Sequence, residues 1–262
     1  MELRYGFISV DDHVQEHPEV WTSRMSRAQW GDRIPHVERD ADGTEHWMVD
    51  GRRLPLAGVA SAGAAVAANV LLLGLFAVQH TIMARPAFKE VWTRWVPWHV
   101  ERSTFVLLST AILAVMAWQW RPLPEPVWRF ESLLATGALT AASLAGWGMV
   151  LVSTFLIDHF ELFGVKQTVS YALGRPLEHP RFRERLFYRW VRHPLMLGFL
   201  IAFWATPTMS QGHLLFAVVT TLYVVIAIQI EERTLVHLHG EEYRSYQRRV
   251  PMLLPFGRRQ QD

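Results

Sequence analysis

Several stretches of this chain are long, apolar and free of charge, and they limit the possible folds more than any other feature. Ala57–Met83 runs 27 residues without Asp, Glu, Lys or Arg, about 40 Å as a helix against a hydrocarbon core of roughly 30 Å. Its first half is rich in Ala and Gly, and its second, NVLLLGLFAVQH, is the stronger span. Thr104–Trp120 adds 17 residues ending in WQW, an interfacial aromatic anchor ahead of Arg121 and Pro122. Leu133–Ile157 adds 25, with Gly137, Ala141, Ala145 and Gly148 suited to close helix contact. Leu195–Thr206 is short, about 18 Å, and runs into Pro207, whereas His213–Ile230 reaches about 27 Å. Only a few residues separate these last two, so they must form an antiparallel hairpin. A soluble bundle would need polar helix faces that these segments lack. The sequence therefore predicts an all-α integral membrane protein of four to five transmembrane helices with a C-terminal helical hairpin, preceded by a soluble head of uncertain fold.

Charge separates head from body. Residues 1–56 carry 7 Lys/Arg and 11 Asp/Glu, a net charge of −4, and four of the twelve histidines; residues 57–262 carry 19 and 13, a net charge of +6. The basic balance of the body suits a protein bordering an anionic lipid bilayer. No compact basic stripe with base-reading aromatics is present, so nucleic acid is not an expected partner. The absence of cysteine excludes disulfides, thiolate metal ligands and a cysteine nucleophile. The start, MELRYGFISVDDH, lacks the charged and apolar regions of a signal peptide, so insertion is expected to be driven by the internal spans. Loops 84–103, 159–192 and the tail from 232 hold four, seven and six basic residues, against two in 121–132 and none in 207–212. The basic loops are therefore expected on the cytoplasmic side. A full span over Ala57–Met83 would then put the charged head on the other side.

The C-terminal hairpin is bracketed by RHPLMLG (Arg192–Gly198) and IEERTLVHLHGEEYRSYQRRVPMLLP (Ile230–Pro255). An Arg-His-Pro entry and a paired-glutamate exit sit at the same end of two apolar helices, which brings both signs of charge to one membrane face. Further ionisable groups stand at span ends: His80 beside Gln79, and the Asp158, His159, Glu161 cluster. Such groups at membrane depth are costly and mark functional positions.

From about Asn69 to Pro255 the chain resembles the methanethiol S-methyltransferases, bacterial membrane enzymes grouped with nurim-like proteins and related to isoprenylcysteine carboxyl methyltransferases. The blocks that carry the resemblance are LFAVQHTIMARPAFK (Leu75–Lys89), ERSTFVLLS (Glu101–Ser109), WQWRPLP (Trp118–Pro124), STFLIDHFELFG (Ser153–Gly164), RHPLMLGFLIAFWATPTM (Arg192–Met209) and the EER…GEEYRSYQRRVPMLLP tail. The resemblance implies an S-adenosyl-L-methionine-dependent methylation of methanethiol to dimethyl sulfide in the bacterial inner membrane, with a cytoplasmic cofactor-binding segment. Another small thiol, hydrogen sulfide or a lipid are alternative acceptors, and a non-catalytic nurim-like protein is the alternative without chemistry.

Carried over, Arg192 and His193 would donate to the cofactor's carboxylate or ribose. Pro194 would leave nearby N–H groups for anions, and Gly198 would allow close approach. Glu231 and Glu232 would pair the ammonium or orient arginines, and Tyr243 and Tyr246 would cover the adenine. Methyl transfer to sulfur needs a thiolate, so a base or a positive site is wanted. His159 is the first choice, with Asp158 or Glu161 holding its tautomer, and His80 is the second. The resembling enzymes have a further helix ahead of LFAVQH, where this chain has its acidic head. The expected division is 1–56 head, 57–257 membrane domain and 258–262 tail. Oligomeric state is not legible.

Residues 5–60 resemble the start of a metal-dependent amidohydrolase, with Asp12, His13 and Glu16 at the matching positions. A (β/α)₈ barrel needs about 250 residues, and membrane helices begin here after about 56, so no working metal site is expected.

Overall fold

Each apolar run folds as a helix whose ends are set by identifiable residues. The structure, a computed structural model, describes residues 19–41, 45–59, 62–177 and 184–255; Asp12, His13 and Glu16 lie outside these. The chain divides into two units, 1–65 and 66–262.

The first unit has a short helix α1 (Arg27–Trp30), a 3₁₀ turn at Gly31–Arg33, and an antiparallel meander of β1 (His36–Arg39), β2 (Glu45–Val49) and β3 (Arg52–Val59). Asp50 and Gly51, both at positive φ, form the two-residue turn that pairs Val49 with Arg52. Among the described residues of this unit, Asp40 accepts from His46 Nε2 at 2.9 Å and also pairs with Arg53 at the surface. β3 takes residues 57–59, so the 27-residue apolar run is shorter as a helix than its lack of charge suggests.

α2 (Ala62–Met83), most of it in the second unit, leads to α3 (Pro86–Trp92), which starts with proline at its first position, where a missing N–H costs nothing. α4 (Trp98–Gln119) returns, and β4 (Pro126–Arg129) lies in the connection to α5 (Leu133–Ile157). α6 (His159–Leu162) and α7 (Val165–Ala172) follow, joined through Gly164 at φ 83°. A Cβ at Gly164 would lie 2.6 Å from the Ser103 backbone nitrogen, so glycine is required there for space as well as for angle. A 3₁₀ turn at Leu186–Arg189 precedes α8 (Pro194–Trp204), β5 (Thr208–Ser210), α9 (Gln211–His239) and α10 (Glu241–Arg249).

α2, α4, α5 and α9 are long and apolar enough to cross a bilayer. Their outward faces carry bare hydrocarbon, with Leu71 73% and Leu133 87% exposed. That surface is stable only against lipid, and the chain is an all-α integral membrane protein around these spans. α4 begins six residues earlier than its apolar run, taking Glu101 and Arg102 into its first turns. α9 continues nine residues past Ile230, as charged helix beyond the apolar stretch.

The two ends of the bundle are built differently. At one end, β4 and β5 pair antiparallel, and the Asn69 amide both donates to and accepts from the Arg121 backbone at 2.8 Å. α8 rises only about 16 Å, whereas α9 rises about 31 Å between Gln211 and Glu232. The extended segment from Ala205 to Ser210 makes up the difference, and β4 supplies partners for backbone groups that lipid could not satisfy. The other end gathers α3, α6, α7, α10 and the starts of α4 and α8.

α5 and α8 cross at Gly146 and Gly198. A Cβ on Gly146 would lie 2.7 Å from the Gly198 carbonyl, and one on Gly198 would lie 2.8 Å from the Gly146 carbonyl. Ser143 Oγ donates to the Ala202 carbonyl at 3.0 Å across the same contact. The glycines thus give backbone-to-backbone packing, so Gly198→Leu is expected to force the helices apart. Overpacking of this kind costs about 1–3 kcal/mol or more. Thermal unfolding in detergent should show a clear drop for Gly198→Leu and little change for Gly137→Leu, where nothing lies within 4 Å of the added Cβ.

Candidate active site

Arg192 begins the site because its charge stands at the mouth of an apolar helix. Its Nε donates to Glu232 Oε1 at 2.6 Å and its Nη2 to Glu232 Oε2 at 3.0 Å, a two-point pair between the entry of α8 and the exit of α9. Nη1 reaches the Gln247 carbonyl at 3.1 Å and the Val250 carbonyl as well. Glu232 also accepts from Gln247 Nε2 at 2.9 Å and lies 3.1 Å from His193 Nε2. His193, only 7% exposed, therefore sits between two glutamates, its Nδ1 being 3.7 Å from half-exposed Glu231. A forked cation, a carboxylate and an imidazole are all held in one geometry, so each limits the movement of the others.

The tail closes this cluster. The Arg192 and His193 N–H groups donate to the Pro251 and Met252 carbonyls at 2.9 and 3.1 Å. These N–H groups, expected to be open to anions at the Pro194 helix start, are thus already engaged. Tyr243 and Tyr246 are buried, packed edge to face at 5.7 Å beside Val250. The Tyr246 hydroxyl donates to the Tyr188 carbonyl at 2.6 Å, and that of Tyr243 lies 3.5 Å from Glu232. Burial pushes both phenols up, with Glu232 adding to the effect at Tyr243, so both stay protonated donors. As placed, the two rings form the packed floor under the ion pair. Gly198 makes its close approach to α5.

The second cluster lies at the same end. The contacts of Gly146 and Val150 with Gly198 fix an antiparallel register for α5 and α8, and about one further turn brings Ser153 and Thr154 level with Pro194. Asp158 caps α6 by accepting from the Glu161 N–H at 3.0 Å. Lys166 donates to Asp158 at 2.8 Å and to Glu161 at 3.0 Å. The His159 ring instead meets the Thr154 hydroxyl at 2.9 Å through Nδ1, and stacks on Phe155 at 4.3 Å with Phe163 at 4.8 Å. The partner expected from the carboxylates is therefore a neutral hydroxyl, and the carboxylates serve a lysine. His80 lies between Phe76 and Phe105 at 5.2 and 4.9 Å, with Ser109 Oγ 3.5 Å from Nδ1.

Beside this cluster a cleft of about 420 Å³ is lined by residues from α3, α4, α6 and α7, including Lys89, Glu101, Arg102 and Gln167. Glu101 and Arg102 belong to the ERSTF block, yet sequence reasoning gave them no role. Their signal was their charge at the start of a span. Thr154, Lys166 and Gln247 were missed because a neutral or surface residue carries no such signal.

Arg192 and Glu232 are about nine-tenths buried as side chains, so Glu232→Ala leaves a stranded guanidinium and should cost about 3–5 kcal/mol. The double substitution Arg192→Met with Glu232→Leu should recover part of that loss in thermal unfolding. The Lys166 ammonium holds the Asp158 carboxyl below the usual range, and Asp158 in turn pushes the Lys166 ammonium up. A depressed carboxyl stabilises the fold until pH falls through its folded value, and a raised ammonium does so until pH rises through its own. The deficit of Asp158→Asn in unfolding temperature should therefore be constant between roughly pH 5 and pH 9 and shrink as pH falls from the ordinary carboxyl value through the depressed folded one.

With that geometry established, comparison with known proteins places the chain. A family model described as a protein of unknown function, DUF1295, matches residues 84–250. Methanethiol S-methyltransferase 1 of Bradyrhizobium diazoefficiens is 50% identical over 198 residues, 76% of this chain and 70% of the relative. Methanethiol S-methyltransferase of Mycobacterium tuberculosis is 51% identical over 197 residues, 75% of this chain and 81% of the relative. Nurim of Rattus norvegicus is 28% identical over 192 residues, 70% of this chain and 73% of the relative. No solved structure matches the chain. The paired end of α8 and α9 and the cleft beside α4 both fall inside the matched region, and the chain belongs to the DUF1295 family, alongside the methanethiol S-methyltransferases.

Proposed function

We propose that this chain methylates methanethiol to dimethyl sulfide with S-adenosyl-L-methionine as donor. The observation that carries this reading is about 50% identity, over about three quarters of the chain, to relatives named for that substrate. The donor combines a carboxylate, an ammonium, a sulfonium and an apolar base. The residues fit such a group: charges of both signs stand at one end of the bundle, beside aromatic walls around His159 and His80. Arg192, His193, Pro194, Gly198, Glu231, Glu232, Tyr243 and Tyr246 form the donor-binding end. Within it, Arg192 and Glu232 fix the shape, Tyr243 and Tyr246 support it from beneath, and Gly198 sets the helix contact. Glu231, half-exposed, is the group left to reach toward a ligand, with His193 held beside it.

When bound, the donor supplies an electrophilic methyl group on sulfur. The chain must hold the thiol in line with that methyl and take its proton, since a cysteine-like thiol, with a pKa of about 8.5, is only slightly ionised near neutrality. His159 is the base in this reading. The Thr154 hydroxyl at Nδ1 steadies the ring and leaves Nε2 for the thiol proton, while Phe155 and Phe163 give the apolar surroundings a methyl thiol prefers. Asp158 and Glu161 hold Lys166 nearby, and His80 is the second candidate. His159 would keep the thiol proton while the methyl passes from the donor's sulfur to the thiol's, and the demethylated donor would then leave. The excess of Lys and Arg in the loops at the motif end supports a cytoplasmic position for it, in a bacterial inner membrane, where a charged donor would arrive from water and an apolar thiol through lipid.

The test is headspace assay of dimethyl sulfide from membranes given methanethiol and the donor. Product is expected from the chain as it stands and lost in His193→Ala. His159→Ala should lose about 10²- to 10⁴-fold at neutral pH, with the deficit shrinking as pH nears the thiol's own pKa. No product, or hydrogen sulfide as the faster acceptor, contradicts the assignment. Full turnover of His159→Ala at neutral pH contradicts the choice of base.

A further inference from the structure

The two polar clusters differ in what they leave unfilled. Around Arg192 and Glu232 the hydrogen-bonding groups are matched internally. In the cleft beside α4 they are not. Glu101 is 8% exposed, and its Oε2 lies 3.6 Å from Lys89, while its Oε1 is buried without a hydrogen-bond partner among the described residues. Gln167 Oε1 is in the same condition. The Gln167 amide nitrogen donates to the Glu161 carbonyl at 3.1 Å, which fixes the side chain's orientation and makes the orphan atom an acceptor. A buried carboxylate oxygen left without a donor costs more than a neutral group would, so such an atom points to a missing partner.

The cationic side of the cleft is also incomplete. Arg102 donates through Nε to the Leu162 carbonyl at 2.7 Å and lies over Phe105 at 4.9 Å. Its terminal nitrogens have no hydrogen bond among the described residues. Lys166, by contrast, is taken up by Asp158 and Glu161 in the cleft wall. The unfilled capacity is thus two acceptors, one of them a carboxylate oxygen, on residues that line the same cleft as one forked cation. An α-amino acid group presents the complement: an ammonium with three donors and a carboxylate with two acceptors.

We infer that this cleft binds the zwitterionic amino-acid arm of the methyl donor, with its ammonium on Glu101 Oε1 and Gln167 Oε1 and its carboxylate on Arg102. The inference rests on the methyl-transfer reading above and adds a docking point separate from the paired end of α8 and α9. Glu232, already committed to Arg192, is thereby relieved of the ammonium role its position in the sequence suggested. Glu101 acts in binding and takes no part in bond making.

Calorimetry on the full chain in detergent tests this with two probes, S-adenosylhomocysteine, which keeps the amino-acid arm, and 5′-methylthioadenosine, which lacks it. Wild type should prefer the first. Glu101→Gln should weaken it about tenfold or more, the loss of a hydrogen bond between charged groups, and leave the second unchanged. Gln167→Leu reads the same acceptor pair should Glu101→Gln fail to fold. A preference that persists in both variants, or an equal loss of both probes, overturns the cleft assignment alone. Wild type that binds neither probe contradicts the donor reading, and the cleft assignment falls with it.

Discussion

A positive charge at the mouth of an apolar helix has to be answered by the protein itself, and the rest of this structure follows from how Arg192 is answered. Its forked pair with Glu232 ties the start of a short helix to the far part of a long one. α8 cannot cross the bilayer alone, and the pair fixes it at one end while the strand that follows it is held by β4 at the other. Gln247 and the backbone of the tail then close over the pair. A membrane-edge ion pair of this kind contributes less to net stability than to holding one arrangement, because desolvation offsets much of the attraction.

The bundle consequently has a closed polar cluster and an open one at the same end. The closed cluster orders α8, α9 and α10; the open one, along the starts of α4 and α7, retains unmatched acceptors and a partly free guanidinium. Two histidines, His80 and His159, lie in aromatic surroundings at the same end. Charged, apolar and imidazole surroundings meet at a membrane edge because water and lipid can both supply them there.

Much of the fold was legible because hydrocarbon demands unbroken apolar helix. α5 matches its charge-free run to the residue, bounded by Ser132 and Asp158. α4 was read too short because Glu101 and Arg102 looked like a span's boundary; partners at Lys89 and Leu162 let the helix include them. Ala57–Met83 was read too long because three of its residues extend a strand, and absence of charge does not distinguish the two. The pairing of β4 with β5 joins segments about 80 residues apart and leaves no local signal. Among site residues, the sequence brought Arg192, His193 and Glu232 to one end, but left open whether the glutamate served a ligand or an arginine. Only geometry shows that it serves the arginine. Asp158 and Glu161 were read as partners of His159, and Lys166 outcompetes the imidazole for both.

α3, α10 and both polar clusters share one membrane face, with β4 and β5 on the other. The chain has no cysteine, so single cysteines at exposed Trp95, Arg244 and Glu131 can be probed with a membrane-impermeant maleimide on sealed vesicles of known orientation. Labels at Trp95 and Arg244 from one side, and at Glu131 from the opposite side, are the predicted result. Trp95 and Arg244 reacting from opposite sides would contradict the account.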